Sequence, residues 1–131
     1  MNELLSKALD DDSNAHLFDL TSKQIKQEIS RLISELNLSR EYEKKLKGYR
    51  FIEDSTTVKP GSYVRWIKLD DFSLSRGVIF CELVNDNTIQ CKSFSGRHFQ
   101  IQTDEILVFQ KLTNQELVIL SAMDHLIKPI V

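Results

Sequence analysis

The sequence predicts an α+β fold: N-terminal helices, a small SH3-like or Tudor-like antiparallel β-barrel, and a closing C-terminal helix. Three observations carry this reading. Short β-branched and aromatic runs, separated by turn residues, follow one another from Tyr49 to Lys111. Before them, apolar residues recur at helical spacing from Ile25 to Leu36. After them, Thr113-Asn114-Gln115-Glu116 spells a capping box ahead of a further helical period. The chain is thereby divided into an N-terminal helical extension, 1–48, and the barrel with its C-terminal capping helix, 49–131.

Met1 to Leu9 can form a short helix, which Asp10-Asp11-Asp12-Ser13-Asn14 ends because these side chains compete for backbone hydrogen bonds. Residues 10–15 are expected as a solvated loop. Thr21 and Gln24 have capping-box spacing, and Ile25, Ile29, Leu32, Ile33 and Leu36 then line one helical face. Ser39 can cap a shorter helix over roughly 40–47, closed by Gly48.

Strands begin at Tyr49-Arg50-Phe51-Ile52. Pro60-Gly61 then predicts a type II turn, with proline fixing the first central φ and glycine supplying the positive second one. It feeds Tyr63–Leu69, and further strands are expected over Gly77–Val84, Thr88–Phe94, His98–Ile101 and Glu105–Gln110. Asn85-Asp86-Asn87 and Ser95-Gly96 provide turns. Ile89 and Cys91 alternate with Gln90 and Lys92, as Phe99 and Ile101 do with Gln100 and Gln102. Ile106-Leu107-Val108-Phe109 is continuously apolar, which predicts cover on both faces. Leu117, Leu120, Met123 and either Leu126 or Ile127 continue the last helix until Pro129.

At 131 residues and 41% apolar, the chain can bury a core without disulfide or metal support. Cys81 and Cys91 are read as buried free thiols in preference to a cross-strand disulfide. The chain opens on no leader pattern and no apolar run approaches ~18 residues, so a soluble, cytoplasmic protein without membrane contact is expected. The net charge of −2 is unevenly spread. Residues 1–39 carry seven acids and four bases, residues 40–50 five bases and two acids, and residues 51–110 eight acids and six bases. The total disfavours binding to phosphates through charge alone, while the 40–50 cluster keeps that role open through Lys44, Lys45 and Lys47. The plainer reading of that cluster is a surface helix with Glu41 and Lys45 one turn apart.

Catalytic patterns do not emerge. Cys81 and Cys91 have no CxxC partner and His16, His98 and His125 fall on separate elements, so neither metal nor cofactor is expected. There is no GxSxG elbow and no phosphate-cradling glycine loop. Asp70-Asp71 and Asp104-Glu105 could hold a hard cation or serve acid–base chemistry, but loop solvation and strand-end gatekeeping account for them. The aromatics say more. Tyr49, Phe51, Tyr63, Trp66, Phe72, Phe94 and Phe99 concentrate in the barrel portion, interleaved with Arg65, Lys68, Arg76, Lys92 and Arg97. Such a surface can cage a methylated cation or stack bases beside basic groups. Arg65, Trp66, Lys92 and Arg97 are therefore candidate binding residues, although Trp66 belongs to the core if it shares a face with Val64.

The runs Leu46 to Asp54, Val58 to Leu69, Gly77-Val78-Ile79, Cys91-Lys92, Arg97 to Ile101 and Asp104 to Leu112 resemble small uncharacterised proteins of nucleocytoplasmic large DNA viruses. The similarity covers about residues 46–126 and brings no catalytic or binding residues with it. It implies action in a cytoplasmic viral factory or in the virion. The functional expectation is a non-enzymatic interaction module that binds a protein partner through its barrel. A barrel that binds RNA or DNA is the alternative, and the oligomeric state is left open.

Overall fold

A computed structural model describes residues 3–18 and 20–126; Ile127 and the expected stop at Pro129 lie outside the described residues. Helix α1 spans Glu3–Asp10, and the expected loop after it is instead a 3-10 turn, Asp12–Leu17. The same polar side chains build that turn: Asp11 accepts from the Ser13 N–H at 2.9 Å. Helix α2, Ser22–Glu35, carries the Thr21–Gln24 capping box in full. Helix α3 is short, Glu41–Lys45. The strands are β1 Tyr49–Ile52, β2 Tyr63–Lys68, β3 Val78–Asn85, β4 Thr88–Lys92, β5 His98–Gln102 and β6 Ile106–Lys111, and helix α4 closes with Asn114–Leu126. β4 stops before Phe94 because Ser93 and Arg97 already close the loop: the Ser93 N–H donates to the Arg97 carbonyl at 2.9 Å, with Gly96 at φ +91°.

All six strands form one antiparallel sheet in the order β1-β6-β2-β3-β4-β5. It curls without closing into a barrel. β2 and β5 are three strand spacings apart, about 14 Å on a flat sheet, yet the Trp66 and Phe99 rings meet across the concave side at 6.3 Å. Two irregularities in β3 contribute to the curl. The ladder steps from Phe80 opposite Cys91 directly to Glu82 opposite Gln90, leaving Cys81 as an extra residue, and it slips again between Leu83 and Asn85. The Pro60-Gly61 turn also ties into β3: Gly61, at φ +83°, donates to the Phe80 carbonyl at 2.8 Å, and the Phe80 N–H donates back to Ser62 at 2.9 Å.

Each face of the sheet has its own core. Val64, Trp66, Phe80, Ile89, Cys91 and Val108 fill the concave side. On the convex side, Ile67 and Phe109 pack under Ile29 and Ile33 of α2 and Leu46. β6 lies between β1 and β2 and serves both, with Ile106 and Val108 inward and Leu107 and Phe109 outward, which is why its sequence is continuously apolar. A third cluster, including Ala8, Leu17, Ile25 and Ile119, seats α1 and α4 against the start of α2.

A buried polar knot fastens these parts together. Arg50 in β1 and Glu116 in α4 are both buried, with Nε to Oε2 at 2.8 Å. Arg50 Nη2 also donates to Gln110 Oε1 at 2.9 Å and to the Thr57 carbonyl at 2.6 Å. Gln110 donates to Glu116 Oε1 at 2.6 Å and accepts from the Lys59 N–H at 2.9 Å. Glu116 completes the capping box of α4 by accepting from the Thr113 N–H at 3.0 Å, and His16 Nε2 lies 3.4 Å from its Oε2. Burial alone would push the Glu116 carboxyl up. The His16 hydrogen bond, the Arg50 guanidinium, Thr113 and Gln110 outweigh it and bring the group from 4.5 to about 2.

A carboxyl depressed in the folded state contributes stability that is full above its unfolded value of 4.5 and drains away as pH falls toward about 2. Glu116→Gln should therefore flatten the loss of urea midpoint between about pH 5 and about pH 3 that the native chain shows. Arg50→Ala at neutral pH should cost about 3–5 kcal/mol by urea unfolding, since it strands a buried carboxylate; replacing both partners with apolar residues should cost much less.

Candidate functional site

The described residues contain no group of three or more His, Cys, Asp and Glu side chains able to hold a metal. Cys81 and Cys91 are free thiols: Cys91 is buried on the concave side, and Cys81 is half-buried at the bulge. Burial, with a smaller contribution from neighbouring Cys81, pushes the Cys91 thiol up to about 12, which suits a core side chain and not a nucleophile. His98 is exposed on β5, beside Gln90 and opposite Lys92, on the other face of the sheet from Cys91.

The candidate binding residues separate by strand parity. Trp66 is 7% exposed and belongs to the concave core with Val64. Arg65 points the other way, and its guanidinium is committed to the backbone. Its Nε donates to the Ser75 carbonyl at 3.0 Å and its Nη1 to the Lys45 carbonyl at 3.2 Å. It therefore ties the end of α3 to the β2–β3 connection. Lys44, Lys45 and Lys47 are exposed around α3. Lys92 is half-buried on β4, opposite Ile79 and His98, and Arg97 is exposed in the β4–β5 loop.

Lys92 shares the convex face, and Arg97 the adjoining β4–β5 loop, with two aromatics that the strand pattern alone did not single out as a pair. Tyr63 is 42% exposed and Phe94 69% exposed, with ring centroids 5.6 Å apart and planes at 48°. Lys111 Nζ stands 5.7 Å from the Tyr63 ring centre. The register Tyr63–Ile79–Lys92–His98 runs as one row across four strands. Pairing of Tyr63 with Phe94 depends on the β4–β5 loop lifting Phe94 out of the strand, so periodicity could not find it.

The open seam of the sheet makes the second surface. Between β5 and the ends of β2 and β6 lies a groove of about 800 Å³, with Trp66, Ile101 and Ile106 on its apolar side. Its exposed rim brings together Asp70, Asp104 and Glu105, with Lys68 beside them. Asp71 is turned away, accepting from the Ser73 N–H at 2.9 Å and from its hydroxyl, and these bonds hold its carboxyl below the usual range. A neighbouring groove of about 570 Å³ shares Asp104 and Ile106 and adds Glu53, Asp54 and Asp86. The far edge of β5 has no strand partner among the described residues, whereas β1, at the opposite end of the sheet, packs against α2.

No protein-family model, curated protein or solved structure matches the chain. Among the described residues, no helix is long and apolar enough to cross a membrane.

Two readouts check these placements. Native-state alkylation should modify Cys81 well before Cys91, with both reacting at one rate in denaturant. Trp66→Ala should cost about 3–5 kcal/mol by denaturant unfolding, as a core truncation, and Arg65→Ala about 1–2 kcal/mol, as the loss of two backbone ties.

Proposed function

We propose that this chain is a non-enzymatic interaction module that binds a protein partner, taking an extended segment of it along the free edge of β5. The observation that carries the reading is the seam: an unpaired strand edge beside an apolar groove rimmed by Asp70, Asp104 and Glu105. An unpaired edge offers a row of backbone donors and acceptors to an incoming strand. The apolar side at Trp66, Ile101 and Ile106 supplies pockets for alternate side chains, and the carboxylates favour lysine or arginine in the segment that enters. The strong curl, which brings Trp66 against Phe99, supports classing the sheet as an SH3-like small barrel with an open seam. The resemblance over residues 46–126 supports a virus-encoded accessory protein, working in the host cytoplasm or carried in the virion.

Hydrogen exchange with a panel of extended lysine- and arginine-bearing peptides tests the reading. Binding should slow exchange of β5 amides, and the double substitution Asp70→Lys, Asp104→Lys should weaken it at least ~tenfold. Peptides that bind without protecting β5, or that bind the double variant equally well, would rule it out.

A further inference from the structure

We propose that the convex face around Tyr63 and Phe94 is a platform for single-stranded nucleic acid, distinct from the β5 groove and independent of it. Two large rings stand in contact at 5.6 Å while remaining 42% and 69% exposed. Phe94 has no polar atom to justify exposure, and its position in a closed loop, fixed by the Ser93–Arg97 hydrogen bond at 2.9 Å, holds it out from the sheet. One cation touches the pair and two more lie nearby in the fold: Lys111 Nζ is 5.7 Å from the Tyr63 ring centre, Lys92 is in the same cross-strand row as Tyr63 with Ile79 between them, and Arg97 is in the loop that carries Phe94. None of the three has a carboxylate partner among the described residues. The nearest acid along β3, Glu82, sits on an adjoining row, opposite Gln90.

Unpaired positive charges beside exposed rings match the two features every single strand offers, phosphates and free base faces. A duplex hides its base faces, so it can engage the cations and leave Phe94 idle. An acidic peptide likewise satisfies the lysines and gives the rings nothing specific. The chemistry at Phe94 therefore selects an unpaired strand, and it does so without a strongly basic domain, because stacking replaces part of the charge. Arg65 and Trp66 take no part, being held by backbone carbonyls and by the core.

Fluorescence anisotropy of the full chain with labelled oligo-dT and oligo-rU of about 15 nucleotides is the test. Single strands should bind at micromolar protein near 50 mM salt, and the log–log salt slope should be about −2, as expected for three phosphate contacts at about −0.7 each. Phe94→Ala and Tyr63→Ala should each weaken binding at least ~fivefold with unchanged thermal midpoints, while Phe94→Tyr retains it. Lys92→Glu with Arg97→Glu should lower both the affinity and the slope, and Asp70→Lys with Asp104→Lys should not weaken it, which separates failure here from failure of the groove reading. No binding at low salt, binding of Phe94→Ala equal to that of the native chain, or equal competition by duplex or by polyglutamate would overturn the proposal.

Discussion

The ion pair between Arg50 and Glu116 is the contact on which the arrangement of this molecule turns. The two residues are 66 positions apart, and through Gln110, Thr57, Lys59 and His16 their hydrogen bonds join β1, β6, the start of α4, the segment Thr57–Lys59 and the 3-10 turn after α1. Desolvating two charges consumes much of what their attraction returns, so the pair adds little net stability by being charged. What it adds is placement. A guanidinium fork with partners at three fixed directions admits one seating of α4 on the end of the sheet, where apolar packing alone would accept several. The same carboxylate caps α4, so the start of the helix and its docking are set by one group.

With that end fastened, the sheet is free to remain open at the other. The consequence is a molecule whose two faces differ in charge as well as in shape. The seam displays carboxylates next to apolar pockets, and the convex side displays lysine and arginine next to rings. A net charge of −2 describes neither. Averages over the chain weaken both signals, because the acids at Asp70, Asp104 and Glu105 and the bases at Lys92, Arg97 and Lys111 are interspersed along one stretch of sequence.

Much of this was legible in the sequence. The capping boxes at Thr21 and Thr113, the positive φ of Gly61 and the two-sided cover of β6 all follow from local rules, because local hydrogen bonds and side-chain period decide them. Trp66 and Arg65 separate once their alternation with Val64 is known. The polar knot was not legible. Arg50 and Gln110 occupy inward strand positions where alternation expects apolar residues, and their partners come from segments distant in sequence. The pairing of Tyr63 with Phe94 escaped for a related reason, since a loop and a strand end come together only after the sheet has curled. Sheet closure was expected and did not occur: turn punctuation reports how many strands there are, and curvature depends on register irregularities that composition does not encode.

The bulge at Cys81 shows how the chain writes curvature. Phe80 faces Cys91, Glu82 faces Gln90 and Leu83 faces Ile89, so the ladder advances as though residue 81 were not there. Shortening β3 by that one residue would leave every inward side chain inward and every cross-strand partner unchanged. Only this bulge's share of the bend would be lost, the second slip between Leu83 and Asn85 remaining. Register and curvature are thus stored separately in β3, the first in the order of its side chains and the second in its surplus length, and a lineage could widen or narrow the seam by gaining or losing single residues without redesigning the core.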